Sequence, residues 1–212
     1  MNYGAIKPFD IANGPGVRVS LFVSGCTNHC EECFQPETWS FSYGKPFDEA
    51  AKEEVLTALS SPYIRGLSLL GGEPLEPNNQ RELLPFLKEV KALYPSKDIW
   101  CYTGNRLEEI LGKTLEGRVL QEGEMIDDGD PRPARPGYLH TEMSEDLLSL
   151  VDVLVDGRFV NRLKDITLQF RGSSNQRLID MPKTLAEGKI VSWENVTSRR
   201  PIAGHKKILE TR

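Results

Sequence analysis

The 212-residue chain predicts an α/β fold built on a mainly parallel sheet, and three observations carry the prediction. Short apolar, often β-branched runs alternate with longer segments of helical period, the pattern of repeated right-handed strand-helix-strand crossovers. Glycine-containing turns stand at the ends of the runs. Runs such as Gly66 to Leu70 read as strands buried on both faces, as parallel sheets are.

The elements follow in order. Val17, Val19, Leu21 and Val23 alternate with Arg18, Ser20 and Phe22, a strand that Ser24-Gly25 ends just before a group of cysteines. Asp48 is placed to cap a helix whose apolar face is Ala51, Val55, Ala58 and Leu59. The buried run Gly66 to Leu70 is broken by Gly71-Gly72, and from about Asn78 a strong helix presents Leu83, Phe86, Leu87, Val90 and Leu93 on one face. Ile99 to Tyr102 reads as a third strand, stopped at Thr103-Gly104, and Leu107, Ile110 and Leu111 suggest a brief helix. A helix capped at Ser144 and a strand from Val151 to Val155 complete the pattern.

Composition narrows the function classes. Hydrophobic residues make up 39% and charged residues 27%, ordinary for a globular protein, and no run of about 18 apolar residues exists to span a bilayer. The net charge of -5 gives no general attraction to nucleic acid, which needs clustered Lys and Arg. The first residues lack the basic start and apolar stretch of a signal peptide, which points to the cytoplasm. The length fits one domain over residues 1–193, followed by a polar, basic tail at 194–212. Residues 112–142, acidic and then proline-rich, read as a surface insertion or a lid.

Three of the four cysteines are Cys26, Cys30 and Cys33, crowded into eight residues, and such crowding in a reducing compartment reads as metal binding. Three thiolates can hold three corners of an iron-sulfur cube and leave the fourth iron open. Other readings stand beside this one. The spacing also matches one face of a short helix, and a structural zinc could take His29, His140 or His205 as a fourth ligand. Cys101 could complete an electron-carrying cluster, although its place in Ile-Trp-Cys-Tyr favours a packed strand residue.

In open parallel sheets ligands bind beyond the carboxyl ends of the strands. The cysteine loop, Gly71-Gly72-Glu73-Pro74, Thr103-Gly104 and Asp156-Gly157-Arg158-Phe159 all fall there. Glycines let a ligand approach the backbone, exposed carbonyls accept from an ammonium, and Glu73 adds a negative charge for the same cation. The bland alternatives are a simple turn at Gly71-Gly72 and a capping role for Asp156.

Cys26-x-x-x-Cys30-x-x-Cys33 followed by Gly71-Gly72-Glu73-Pro74 resembles the radical S-adenosylmethionine superfamily. Asn13-Gly14-Pro15-Gly16-Val17-Arg18, Phe22-Val23-Ser24-Gly25-Cys26 and the run Phe170 to Arg177 are similar to the small activases of glycyl radical enzymes, in particular those of the anaerobic ribonucleoside-triphosphate reductase. The resemblance implies a partial, open β/α barrel. It implies a [4Fe-4S] cluster on Cys26, Cys30 and Cys33, with S-adenosylmethionine chelated at the open iron. One electron, from a donor such as a flavodoxin, would cleave that cofactor to methionine and a 5'-deoxyadenosyl radical, which would take a hydrogen from a glycine of the reductase. It further implies that Glu32, Cys33 and Phe34 line the adenosyl side, that Gly71, Gly72 and Glu73 contact the methionine amine, and that Tyr102, Thr103, Gly104 and Asp156 belong to the pocket. Gln35 and Glu73 depart from the commoner Asn and Asp of the pattern while keeping the chemical type. The activase of a formate-lyase-like enzyme, a small-molecule radical enzyme and a noncatalytic iron-sulfur or zinc module are the alternatives.

Overall fold

A computed structural model describes residues 1–194; the expected basic tail, apart from its first residue, lies outside the described residues. Seven strands form one open sheet: β1 (Asn2–Asp10), β2 (Val17–Val23), β3 (Lys45–Pro46), β4 (Ile64–Gly71), β5 (Asp98–Tyr102), β6 (Val153–Asp156) and β7 (Arg177–Asp180). Their order is β3-β1-β2-β4-β5-β6-β7. The central pairs β2·β4, β4·β5 and β5·β6 are parallel, and the flanking pairs are antiparallel. The sheet does not close on itself, as expected for a partial β/α barrel.

Helices α1 (Glu49–Leu59), α2 (Pro77–Leu93), α3 (Leu107–Leu111), α4 (Ser144–Leu150) and α5 (Met181–Glu187) complete the fold. The Asp48 carboxylate accepts from Ala51 N at 3.0 Å, the predicted cap of α1. At α4 the cap differs from expectation. Ser144 is the first helical residue, and its hydroxyl accepts from Thr141 N and donates to Gln80 Oε1 of α2, joining two helices rather than only starting one. The larger core packs Val19, Leu21, Leu67, Leu69, Ile99 and Leu154 against Val55, Leu59, Leu83, Leu87 and Leu147.

The opposite face of the sheet is also buried. The alternating polar residues of β2 therefore do not meet solvent: Arg18 and Ser20 are both fully buried. Arg18 donates from Nε to Ser68 Oγ at 2.7 Å and from Nη2 to the Leu67 carbonyl at 2.8 Å, pairs with Asp98 at 2.5 Å, and lies over the Trp100 ring. A charge so placed is tolerable because each nitrogen of the guanidinium has a partner. Trp100 continues this face into a small aromatic group with Phe170 and Trp193.

Four elements, β1, β3, β7 and α5, go beyond the predicted pattern. Strand β1 contains Gly4, Pro8 and Lys7, which weaken a strand signal; β3 covers only its first residues, so Pro8 has no outer neighbour to bond, and the register shifts between Lys7 and Asp10. Strand β7 and helix α5 are too short for a clear period.

Candidate active site

Strands β2, β4, β5 and β6 deliver four loops to one edge. The cysteine loop leaves β2 through Ser24 and Gly25, and it is pinned at both ends: Gly25 N donates to Thr38 O at 2.8 Å and Cys26 N to Trp39 O at 3.2 Å. Gly71 and Gly72 run against it. Gly72 N donates to Val23 O and Glu73 N to Gly25 O, and a Cβ on Gly72 would lie 2.6 Å from the Gly25 carbonyl oxygen. Gly71 takes φ +109°, a conformation open to glycine. The glycine pair thus has a packing reason as well as any ligand reason.

Glu73 ties the loops together. It is 1% exposed, and its Oε1 accepts from Leu75 N at 3.0 Å. Its Oε2 accepts from Gly104 N at 2.9 Å, Thr103 Oγ1 at 3.0 Å, Asn105 Nδ2 at 3.1 Å and Asn28 Nδ2 at 3.1 Å. Burial pushes its carboxyl up to about 7, against the pull of these donors. The sequence reading aimed this charge at a bound ammonium; the structure turns both oxygens toward the protein. Asn28, Thr103, Gly104 and the Gly-Gly-Glu turn are consequently one hydrogen-bonded unit.

The other predicted residues fall around this unit. Cys26 is buried, while Cys30 and Cys33 are half-buried, and all four cysteines of the chain are free thiols. Burial, with Glu73 nearby, pushes the Cys26 thiol up to about 12, and burial raises Cys30 against the opposing guanidinium groups of Arg158 and Arg132. Glu32 holds φ +59°. Phe34 is 81% exposed, its ring 5.9 Å from Phe159 in the loop after β6. A cleft of about 250 Å³ opens beside them, lined by Glu31, Glu32, Pro131, Arg158 and Phe159. Tyr102 is half-buried, and its hydroxyl is buried with no hydrogen-bond partner among the described residues. Asp156, fully buried, accepts from Leu107 N at 2.8 Å and from Arg177, which makes it a tie between α3 and β7.

Sequence reasoning missed Asn28, Asn105 and Arg132, whose partners lie far away in the chain. No short-range pattern marks them.

Among the described residues, no three His, Cys, Asp or Glu side chains stand close enough to share one metal ion. An iron-sulfur cube asks something different, since each thiolate takes its own iron. Three free soft donors on one loop, with cationic Arg132 and Arg158 beside the second, fit that larger group and its negative charge.

The family model that matches residues 12–179 is described as a 4Fe-4S single cluster domain. Several anaerobic ribonucleoside-triphosphate reductase-activating proteins are similar to the chain over most of their length. The one from Pasteurella multocida (strain Pm70) is 39% identical over 178 residues, covering 83% of this chain and 95% of the relative. The one from Escherichia coli (strain K12) is 36% identical, covering 83% and 96%. The one from Enterobacteria phage T4 is 39% identical, covering 84% and 93%. With an iron-sulfur domain match over residues 12–179 and relatives this similar over nearly their whole length, the chain belongs to the anaerobic ribonucleoside-triphosphate reductase-activating protein family.

Proposed function

We propose that the protein is a radical S-adenosylmethionine activase that generates a glycyl radical on an anaerobic ribonucleoside-triphosphate reductase. The observation that carries this reading is the single hydrogen-bonded unit at the carboxyl edge, in which Glu73 joins the cysteine loop, the Gly71-Gly72 turn and Thr103-Gly104. When bound, a reduced [4Fe-4S] cluster supplies the electron that splits S-adenosylmethionine into methionine and the 5'-deoxyadenosyl radical needed to take a hydrogen atom from glycine.

The chain's own task is to bind, orient and exclude. Cys26, Cys30 and Cys33 hold the cluster, and the raised thiol pKa values of Cys26 and Cys30 mean that iron binding must displace their protons. The backbone of Gly71, Gly72 and Glu73 meets the methionine amine, with the Glu73 side chain fixing the turn from behind. Glu32, Cys33 and the exposed ring of Phe34 border the adenosyl side, and Phe159 narrows the same opening. The unpaired Tyr102 hydroxyl offers a polar contact at the inner end of β5. Thr103, Gly104 and Asp156 then serve the pocket by position, since each is committed to protein hydrogen bonds. No helix among the described residues is long and apolar enough to cross a membrane, and the four free thiols suit a reducing cytoplasm, where a flavodoxin-type protein can supply the electron.

The test is anoxic reconstitution with iron and sulfide, followed by a strong reductant and S-adenosylmethionine. The expected product is 5'-deoxyadenosine, and a fully loaded protein that makes none overturns the enzymatic reading. Adding the reductase should then produce a glycine-centred doublet in electron paramagnetic resonance. If only a formate-lyase-like partner gives the doublet, the assignment of the target is wrong.

A further inference from the structure

Residues 112–142 contain no helix or strand, only the bridge between Lys113 and Val119, yet they are not a loose surface loop. Leu120, Asp130, Ala134 and Leu139 are buried. Asp128 takes a two-point ion pair from Arg106, with Nε at 2.5 Å and Nη2 at 2.8 Å, and Asp130 meets Arg158 at 2.9 Å. Gly137 N donates to Glu109 O at 2.6 Å. So anchored, the segment lies across the carboxyl edge of the sheet.

From this base two cations reach the cysteine loop. Arg132 Nη1 and Arg135 Nη2 both donate to Asn28 Oδ1, at 3.1 and 2.8 Å. Arg132 also donates to Gly104 O at 3.1 Å and Arg135 to Asn105 Oδ1 at 3.2 Å. Asn28 sits between Cys26 and Cys30, and its amide nitrogen faces the other way, to Glu73 Oε2. One side chain therefore links the insertion, the cysteine loop and the Gly-Gly-Glu turn.

The cysteine loop needs such an external hold. Its residues 24–35 form no helix or strand, and His29 and Glu32 both take positive φ, which is costly for residues with a Cβ. Its side-chain hydrogen bonds run through Thr27, which donates to Glu76, and through Asn28. Bringing two guanidinium groups to one amide oxygen is itself unfavourable, and the buried Nε atoms of Arg132 and Arg135 have no hydrogen-bond partner among the described residues. Glu109 and Asp130 offset part of that charge. A negatively charged group on the neighbouring thiolates would offset more.

We propose that residues 128–135 act as a clamp on the cluster-binding loop, with Asn28 as its positioning residue and Arg132 and Arg135 as its grip. The clamp presets the spacing of Cys26 and Cys30, and through Glu73 it fixes the loop relative to the turn that receives the second cofactor. This inference rests on the reading of the three cysteines as cluster ligands.

The test uses the full chain, reconstituted anoxically, and compares it with Arg132→Gln/Arg135→Gln, with Asn28→Ala and with Gly104→Ala. The last acts from the opposite side, since its new Cβ would lie 2.8 Å from the Asn28 amide nitrogen. Three measurements are made: iron release to a ferrous chelator, the resonance spectrum of the reduced cluster with and without S-adenosylmethionine, and amide hydrogen exchange over residues 26–34. The expected result is iron release about tenfold faster in each variant, the size usual when outer-shell support of a metal site is lost. The cofactor-induced spectral change should shrink, and exchange in the loop should rise. Arg132→Lys/Arg135→Lys should recover part of the effect by restoring charge without the planar fork. Release, spectrum and exchange all unchanged in the double glutamine variant would overturn the clamp. If the unsubstituted chain takes up no four-iron cluster, the reading of the cysteines fails instead, and loop exchange still decides on the clamp: equal exchange rejects it and faster exchange in the variants sustains it. A variant that merely unfolds would show raised exchange throughout the sheet, and in that case Gly104→Ala, which leaves every charge in place, decides.

Discussion

Arg177 closes both oxygens of Asp156: its Nε lies 2.9 Å from Oδ1 and its Nη2 2.5 Å from Oδ2. The same guanidinium bonds Glu108 of α3 at 2.9 and 2.6 Å, so one cation joins β7, β6 and α3 beneath the carboxyl edge. Burial works against the cation, but the hydrogen bonds to Asp156 and Glu108 outweigh it and raise the Arg177 pKa. Burial pushes the Asp156 carboxyl up, whereas Arg177 holds Glu108 down in spite of burial.

Arg177→Met should therefore destabilise the protein by about 3–5 kcal/mol, the cost of leaving a buried carboxylate without its partner. Chemical denaturation at neutral pH measures it. Asp156→Asn combined with Arg177→Met should recover part of the loss, because the fully buried one of the two carboxylates left without a partner is then neutral, while Glu108 keeps its charge. A double variant no more stable than the single one would mean that shape, and not charge, makes the site.

Glu73 sets a pH dependence of its own. Its folded pKa of about 7 lies above the ordinary value of 4.5, so the folded state favours the protonated form. The stability this contributes is full below pH 4.5 and is lost as pH rises through about 7, by at most about 3 kcal/mol. Unfolding of the metal-free protein across this window should show that slope, and Glu73→Gln should show less of it. Equal slopes in the two proteins would mean that Glu73 stays ionised throughout, held by its five donors.

The centre of the sheet was legible in the sequence because β2, β4, β5 and β6 are apolar runs stopped by glycine turns, and the two long helices keep a clear apolar face. The placement of the cysteine loop, Gly71-Gly72 and Thr103-Gly104 at one edge follows from that topology alone. What was not legible depends on distance along the chain. Asp156 meets Arg177 and Asn28 meets Arg132 only after folding, and no local period announces either pair. The alternation in β2 marked a strand but not the partners of its polar side: Arg18 is buried against Ser68, Asp98 and Trp100, which come from the neighbouring strands. Glu73 was read from charge alone, and its five protein donors come from three separate loops.

Gly72→Ala should be poorly tolerated. The new methyl would stand 2.6 Å from the Gly25 carbonyl oxygen and 3.1 Å from that of Thr38, both backbone atoms that cannot swing aside. Overpacking of this kind costs about 1–3 kcal/mol. The strain falls on the start of the cysteine loop, so iron content after reconstitution should drop more than the melting temperature suggests. Full iron loading in Gly72→Ala would show that the loop has slack to spare.

Cys101 provides the contrast to the three motif cysteines. It pairs in register with Leu69 on one side and Leu154 on the other, and it is fully buried in the sheet core. Burial, with Glu73 adding to it, raises its thiol well above the ordinary value, and its place inside the sheet, away from the cysteine loop, suits a packed core residue. Cys101→Ala should keep its iron and its ability to cleave S-adenosylmethionine while losing about 1 kcal/mol of stability, the common size of a small core truncation. Cys26→Ala, Cys30→Ala and Cys33→Ala should each lose the cluster with little change in the metal-free fold, because the loop contributes few residues to the core. Iron content, the spectrum of the reduced protein and 5'-deoxyadenosine yield separate the two groups. Loss of iron in Cys101→Ala equal to that in the other three would require a fourth protein ligand, and the open iron on which S-adenosylmethionine chemistry depends would then be closed.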